Sequence, residues 1–228
     1  MTASPADADA FAAIYPRGPR SFYASFLKRS LDVLASLLLI IFLLPLMAVV
    51  ALAVRLILGP PVFFLDERAG LHGHPIWIVK FRSMREAATT DGQSLPDADR
   101  LTFFGRLLRQ TSLDELPQLF SVLRGDMSMV GPRPLPLRYI PRYNSRQATR
   151  LLVHPGLTGW AQIHGRNAVN WPERLELDVR YVEMLGGRTA PLTDLWIVMV
   201  TAVQVVATAL TGRGVSAQGA ATMKEFEA

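Results

Sequence analysis

The chain has 228 residues, half of them hydrophobic and 19% charged, with a formal charge of +5 and a pI near 10. That length suits one ordinary domain plus an anchoring segment, and the charge favours an anionic partner: nucleic acid, anionic lipid or a phosphorylated substrate. Cysteine is absent, which excludes thiol catalysis, disulfides and iron–sulfur ligation.

Residues 1–25 carry no periodic apolar face and read as a loose extension. From Val33 to Val54 no residue is charged. As a straight helix these roughly 22 residues would reach about 33 Å, enough to cross a bilayer. Pro45 sits at the centre and removes a backbone hydrogen bond, so the helix is expected to kink or break there. Basic residues flank both ends (Arg17, Arg20, Lys28 and Arg29 before, Arg55 after), so the positive-inside bias gives no direction of crossing. A kinked span and a re-entrant helix that leaves on the side it entered both fit these features.

Beyond Gly59-Pro60-Pro61 the composition changes. Val62–Leu65 and Ile76–Phe81 are short β-type runs around a Gly- and His-rich turn, which predicts a hairpin. In that turn, His72 and His74 lack the further ligands a transition-metal site needs. Glu86–Ala98 reads as a polar loop. Helical patterns follow at Arg100–Arg109, Glu115–Leu123, Leu137–Tyr143 and Trp171–Met184. A second apolar run, Leu192–Leu210, contains Asp194 and Gln204, which suits a buried or interfacial helix better than a second span.

Ser112-Leu113-Asp114-Glu115 supports two readings. As a capping box, Ser112 would cap a helix, Glu115 would return to the Ser112 amide, and Asp114 would be an acidic first-turn residue. As a catalytic site, the helix N-terminus would offer amides to a phosphate and Asp114 would be a nucleophile. Adjacent helical residues project about 100° apart, so Asp114 and Glu115 would have separate tasks. In Gly131-Pro132-Arg133-Pro134 the flanking prolines restrict the backbone around Arg133. This suits either a rigid turn with a local salt bridge or a pre-set guanidinium for bidentate phosphate binding. Lys80, Arg82, Arg109 and Arg166 could complete an anion pocket.

The order of these pieces resembles a known family. Lys28-Arg29-Ser30-Leu31-Asp32, Lys80-Phe81-Arg82-Ser83-Met84, Ser112-Leu113-Asp114-Glu115-Leu116-Pro117-Gln118-Leu119, Gly125-Asp126-Met127-Ser128, Gly131-Pro132-Arg133-Pro134 and Pro155-Gly156-Leu157-Thr158-Gly159-Trp160-Ala161-Gln162 are similar to motifs of bacterial sugar transferases, the monotopic polyprenyl-phosphate phosphoglycosyl transferases. Gly165-Arg166-Asn167-Ala168, Glu176-Leu177-Asp178-Val179 and Gly214-Val215-Ser216 resemble the small subgroup that initiates glycans such as those of bacterial N-linked glycosylation. The resemblance runs from about Phe26 onward. One departure is Leu44-Pro45 where the subgroup often has Ser-Pro, so a serine able to bond the freed backbone is missing.

The resemblance implies an α+β, predominantly helical fold. Its expected parts are an extension over 1–25, a proline-broken re-entrant membrane helix over 26–59 kinked at Leu44 and Pro45, and a compact cytoplasmic domain over 60–228 with a small β-hairpin and an interfacial C-terminal helix. It implies Asp114 as nucleophile toward a UDP-sugar, with release of UMP, and a polyprenyl phosphate, undecaprenyl phosphate above all, as acceptor of the phosphosugar. Glu115 would assist the acceptor step, and Mg²⁺ near Asp114 would offset phosphate charge. Arg133, Lys80, Arg82, Arg109, Arg166 and Asp178 would bind the UDP-sugar. The implied location is the cytoplasmic face of a bacterial inner membrane, with the lipid bilayer as partner, downstream glycosyltransferases as candidate protein partners, and no nucleic acid. Two rivals are weaker. A membrane-tethered basic binding module would leave the acidic dyad unexplained, and an aspartyl-phosphate phosphatase would need an Asp-x-Asp nucleophile pattern, to which Asp114, with Ser112 and Leu116 two residues away, does not belong.

Overall fold

A single helix, α1 (Lys28–Ile57), carries most of the apolar N-terminal sequence. At 30 residues it would be about 45 Å long if straight. The computed structural model describes residues 18–19, 21–85, 100–165, 169–211 and 226. Pro45 lies inside α1 without interrupting its helical course, so the expected break is corrected to a continuous helix. Pro45 itself is exposed, so its ring packs against no core residue. A π-helical turn, Tyr23–Leu27, leads into α1, and Tyr23 is buried. Part of the stretch read as an extension is therefore folded into the domain.

Both ends of α1 are fastened to the same domain. At its start, Lys28 Nζ lies 2.7 Å from Asp194 Oδ2, and Asp32 Oδ1 accepts from the Met129 amide at 3.0 Å. Arg29 donates to the carbonyls of Val122 and Leu123 at 2.6 and 2.9 Å, satisfying the end of helix α3 (Gln118–Arg124). At the other end, Met47, Val50 and Val54 pack with Phe81 and Leu108 in a hydrophobic cluster. Between these anchors Leu37, Leu38, Ile41, Phe42, Leu44 and Leu46 are exposed.

The rest of the chain builds the platform. Strands β1 (Phe63–Ala69) and β2 (Pro75–Phe81) form the expected antiparallel hairpin, in register from Phe63 opposite Phe81 to Ala69 opposite Pro75. Helix α2 (Phe103–Gln110) and a 3₁₀ turn (Leu113–Glu115) precede α3. Strands β3 (Ser128–Val130) and β4 (Gly156–Thr158) pair in parallel. Between them lie a 3₁₀ segment, Leu137–Arg142, the short helix α4 (Ser145–Ala148) and a second 3₁₀ turn, Thr149–Leu152. A short helix α5 (Trp160–Ile163) follows, then α6 (Trp171–Leu185), capped by the Asn170 side chain on the Glu173 amide, then α7 (Ala190–Thr211). The expected Glu86–Ala98 loop and the Gly214-Val215-Ser216 motif lie outside the described residues.

Helix α7 wears its polarity inside out. Asp194, Ile197, Thr201, Gln204 and Thr208 recur every three or four residues and turn toward the domain. Thr201 pairs with Thr158 at 2.6 Å, and Gln204 donates to the Ile163 carbonyl at 3.0 Å. The opposite stripe, Leu192, Leu195, Trp196, Met199, Val203, Val206 and Leu210, is exposed. Among the described residues, Tyr23–Ile57 and Ala190–Thr211 are the two helices long and apolar enough to cross a membrane. Held by polar contacts along its length, α7 lies against the domain.

Asp194 joins three helical segments. Besides Lys28, its carboxylate accepts from Tyr23 at 2.7 Å and Tyr181 at 2.8 Å, and all four side chains are buried. Asp194→Ala would leave the buried Lys28 ammonium and the buried Tyr23 hydroxyl without this acceptor, while the Tyr181 hydroxyl would keep the Val130 carbonyl at 3.1 Å. The expected loss is about 3–5 kcal/mol, read as a lower midpoint for thermal unfolding of the membrane-extracted protein. An unchanged midpoint would mean that the cluster does not hold α1 and α7 together.

Candidate active site

The candidate site forms where the hairpin, the turn after α2 and the Gly131–Pro134 segment meet. Strand alternation puts Lys80 on the same face of β2 as Ile78, which is buried against Val122 and Met127. Lys80 therefore points across the domain toward the 3₁₀ turn. Gly105 lets α2 approach closely, since a Cβ there would come within 1.8 Å of the Ser83 carbonyl oxygen. Arg109 on α2 donates through Nε to Ser83 Oγ at 3.0 Å.

The turn differs from the expected capping box. Ser112 is left-handed (φ 57°) and makes no side-chain cap, and α3 starts only at Gln118, after Pro117. A left-handed non-glycine residue is uncommon. Here it reverses the chain sharply between α2 and the 3₁₀ turn that carries the two carboxylates.

Asp114 and Glu115 diverge, as adjacent residues on a helical turn must. Glu115 Oε1 accepts from Lys80 Nζ at 2.9 Å and from Arg133 Nη2 at 2.7 Å. Burial alone would raise the pKa of Glu115, but Arg133 and then Lys80 outweigh it and hold the carboxyl well below the usual range. Asp114 is buried, and no described residue hydrogen-bonds to its carboxylate. Burial, followed by the neighbouring Glu115 charge, pushes its pKa up to about 6, against the opposing pull of Lys80, Arg109 and Arg133. One carboxylate is thus fixed as an ionised anchor for two cations. The other is left unpaired among them.

Arg133 is set by its backbone. The Gly131 amide donates to the Thr158 carbonyl at 2.8 Å, and the Gly156 amide to Pro132 at 2.9 Å. This crossing needs bare backbone, because a Cβ on Gly156 would sit 2.0 Å from the Gly131 nitrogen. The Arg133 carbonyl accepts from Arg150 Nη2 at 2.6 Å, and Arg150 is paired with Asp178 at 2.8 Å, both side chains almost fully enclosed. Arg174 is buried nearby, and burial, then the charge of Arg133, lowers its pKa to about 10. Among the described residues, Arg133, Arg150, Arg174 and Asp178 therefore back the site.

The sequence-derived candidates divide accordingly. Lys80, Arg109, Asp114, Glu115 and Arg133 come together. Arg82 is buried with its guanidinium on the carbonyls of Leu58, Gly59 and Pro60, so it closes the end of α1. Asp178, expected to touch the UDP-sugar, is enclosed behind Arg133 and acts on it through Arg150. Arg166 lies outside the described residues. Arg150 and Arg174 went unrecognised from the sequence, although the buried stripe Leu175, Asp178, Val179 and Val182 on α6 demands a buried cation opposite Asp178.

Asp114 has the donor chemistry for Mg²⁺ only in part. No group of three His, Asp or Glu side chains able to hold a metal occurs among the described residues. A single carboxylate fits the mode in which Mg²⁺ takes one or two protein oxygens and completes its shell with substrate phosphates and water.

Comparison with known proteins places the architecture. Residues 23–208 match the family described as Bacterial sugar transferase. Over 157 residues the chain is 50% identical to the "Uncharacterized sugar transferase EpsL" of Bacillus subtilis, covering 69% of this chain and 78% of that protein. It is 43% identical to the UDP-glucose:undecaprenyl-phosphate glucose-1-phosphate transferase of Caulobacter vibrioides, covering 68% of this chain and 62% of that one. It is 35% identical to the UDP-N-acetylgalactosamine-undecaprenyl-phosphate N-acetylgalactosaminephosphotransferase of Aeromonas hydrophila, covering 86% of this chain and 46% of that one. The latter two relatives thus extend well beyond the shared region. A motif series spread from α1 to β4, the fold it builds and a match over most of the chain agree: the protein belongs to the bacterial sugar transferase family.

Proposed function

We propose that this protein transfers a sugar 1-phosphate from a UDP-sugar to a membrane polyprenyl phosphate, through a covalent phosphosugar on Asp114. The carrying observation is the buried Asp114 carboxylate, which no described residue hydrogen-bonds and on which the charges of Lys80, Arg109 and Arg133 act. The Caulobacter and Aeromonas relatives, named as acting on UDP-sugars and undecaprenyl phosphate, support it.

In the first half-reaction, an Asp114 oxygen attacks the sugar-bearing phosphorus. The bond from that phosphorus to the bridging oxygen breaks, and UMP leaves with the electron pair. A carboxylate approaching a diphosphate meets strong repulsion, so cations fixed around the phosphates supply the electrostatic stabilisation. Arg133 and Lys80 do this from a geometry already imposed by Glu115. Mg²⁺, which Asp114 and the diphosphate would hold together, would supply further charge neutralisation. In the second half-reaction, a phosphate oxygen of the lipid attacks the same phosphorus and Asp114 leaves, giving polyprenyl-diphosphate-sugar. That acceptor is already anionic and needs no strong base. Glu115, held between two cations, is therefore read as the organiser of the phosphate site, in place of the acceptor-assisting role expected from the resemblance.

We read α1 as re-entrant, bending at Pro45 while remaining one helix, and the domain as cytoplasmic. Lys28, Arg29 and Asp32 at one end and Met47–Val54 at the other all pack on one domain, which supports placing both ends on one side of the membrane. The exposed apolar stripes of α1 and α7 would then meet lipid together, setting the site at the headgroup plane where a nucleotide sugar and a lipid phosphate can meet.

Purified protein should release UMP from at least one member of a UDP-sugar panel in the presence of undecaprenyl phosphate. Asp114→Asn should lower that rate by at least about 10³-fold, because it removes the covalent route. Only the ionised Asp114 attacks, so the UMP burst measured without acceptor should fall about tenfold per pH unit below its raised pKa of about 6. Leaving the acceptor out matters, because a phosphate monoester titrates near the same pH. Full activity in Asp114→Asn would end the proposal. For topology, a cysteine replacing Ser4 is the protein's only thiol and should resist a membrane-impermeant reagent added outside intact cells. Labelling there would mean that α1 crosses.

A further inference from the structure

Phe226 lies beyond residues 23–208, the region shared with the family, yet it is buried within the domain at 4% exposure. Its ring sits among Tyr139, Tyr143 and Trp171, with centroid separations of 5.6, 6.0 and 5.5 Å, and Leu135 and Leu175 complete the cluster. Its backbone is engaged too. The Phe226 amide donates to the Tyr139 hydroxyl at 3.3 Å, and its carbonyl accepts from Arg142. Both polar contacts go to one 3₁₀ segment, Leu137–Arg142, which begins four residues after Arg133.

The cage around Phe226 is wired to the arginines behind the site. The Tyr143 hydroxyl accepts from Arg150 at 3.3 Å, and Arg150 in turn holds the Arg133 carbonyl. The Arg174 guanidinium lies 5.5 Å from the Trp171 ring centroid. On the site side, the Leu135 carbonyl accepts from the Ala69 amide at 2.9 Å, tying the same segment to β1. A residue that only filled a gap in the core would need the ring contacts alone. Here two directional backbone bonds fix the Leu137–Arg142 turn, and the cage residues touch the groups that orient Arg133.

We propose that Phe226 is a positioning residue: seated in the Tyr139, Tyr143 and Trp171 cage, it clamps the Leu135–Arg142 segment and, through Arg150, holds Arg133 in register for the diphosphate. The clamp stands on the contacts. Its effect on ligand affinity rests on the reading of Arg133 as a diphosphate ligand.

The test uses the full chain in detergent or nanodiscs, with hydrogen exchange followed by peptide and UDP binding followed by calorimetry. Phe226→Ala should speed amide exchange in Leu135–Arg142 by roughly tenfold or more, with α1 and α7 unchanged, as a local opening would. UDP affinity should weaken about tenfold, a loss in the range expected when a forked arginine contact is loosened. Phe226→Leu keeps a buried apolar side chain and the backbone bonds, so it should restore most of both. Exchange in Leu135–Arg142 equal to wild type in Phe226→Ala would overturn the clamp. Faster exchange with wild-type UDP affinity, while Arg133→Ala binds UDP weakly, would overturn its link to Arg133. If Arg133→Ala also binds UDP as wild type does, the functional reading of Arg133 fails, and the exchange result alone decides the clamp.

Discussion

Glu115 shares one carboxylate oxygen between Lys80 and Arg133, and the site depends on that pairing. The two cations come from separate parts of the chain, one from the end of a hairpin and one from the loop after β3. Without a common anion they would repel each other across a partly buried gap. With it they are drawn together beside Asp114, whose carboxylate no described residue hydrogen-bonds and whose ionised form the Glu115 charge disfavours. The same arrangement sets the two acids apart electrostatically, since Glu115 is pinned in its charged form while Asp114 is lifted toward neutrality. Two adjacent carboxylates with opposite shifts are a common mark of divided labour in a reactive site.

Behind this pairing lies a layered support. The glycine crossing at Gly131 and Gly156 fixes where the Arg133 loop runs, and Arg150 with Asp178 fixes its carbonyl. A buried arginine–aspartate pair adds little net stability over an apolar core, but it is costly to break and has one geometry. That suits a residue whose function is orientation. The half that carries the apolar helices follows the same logic at larger scale: the Asp194 cluster binds the start of α1 to α6 and α7.

Much of this was legible in the sequence. The hairpin showed as two β-type runs around a glycine-rich turn, and α6 and α7 showed through periodicity, since neither signal depends on distant partners. Of the two readings the Ser112 segment supports, the capping box fails, because a capping box and a left-handed reversal use the same residue types and only the late helix start after Pro117 tells them apart. Pro45 suggested a break, yet an exposed proline in a helix held at both ends leaves the helix continuous. In the sequence Arg82 points to substrate as a basic residue near the other cations, and Asp178 does so through the motif it belongs to. Their burial, which depends on long-range packing, instead puts Arg82 on the end of α1 and Asp178 behind Arg133. The Asp194 cluster reads in the sequence only as a polar interruption, because two of its partners, Tyr23 and Lys28, lie more than 160 residues away along the chain.

The central claim is that Asp114 carries the phosphosugar. Rapid quenching of the wild-type protein with a UDP-sugar and no acceptor, followed by intact-mass measurement and peptide mapping, tests it most directly. The account predicts one added sugar phosphate per chain, located on the peptide containing Asp114 and discharged when polyprenyl phosphate is added. An unmodified protein that still turns over with both substrates present, or an adduct mapped to another residue, would contradict it.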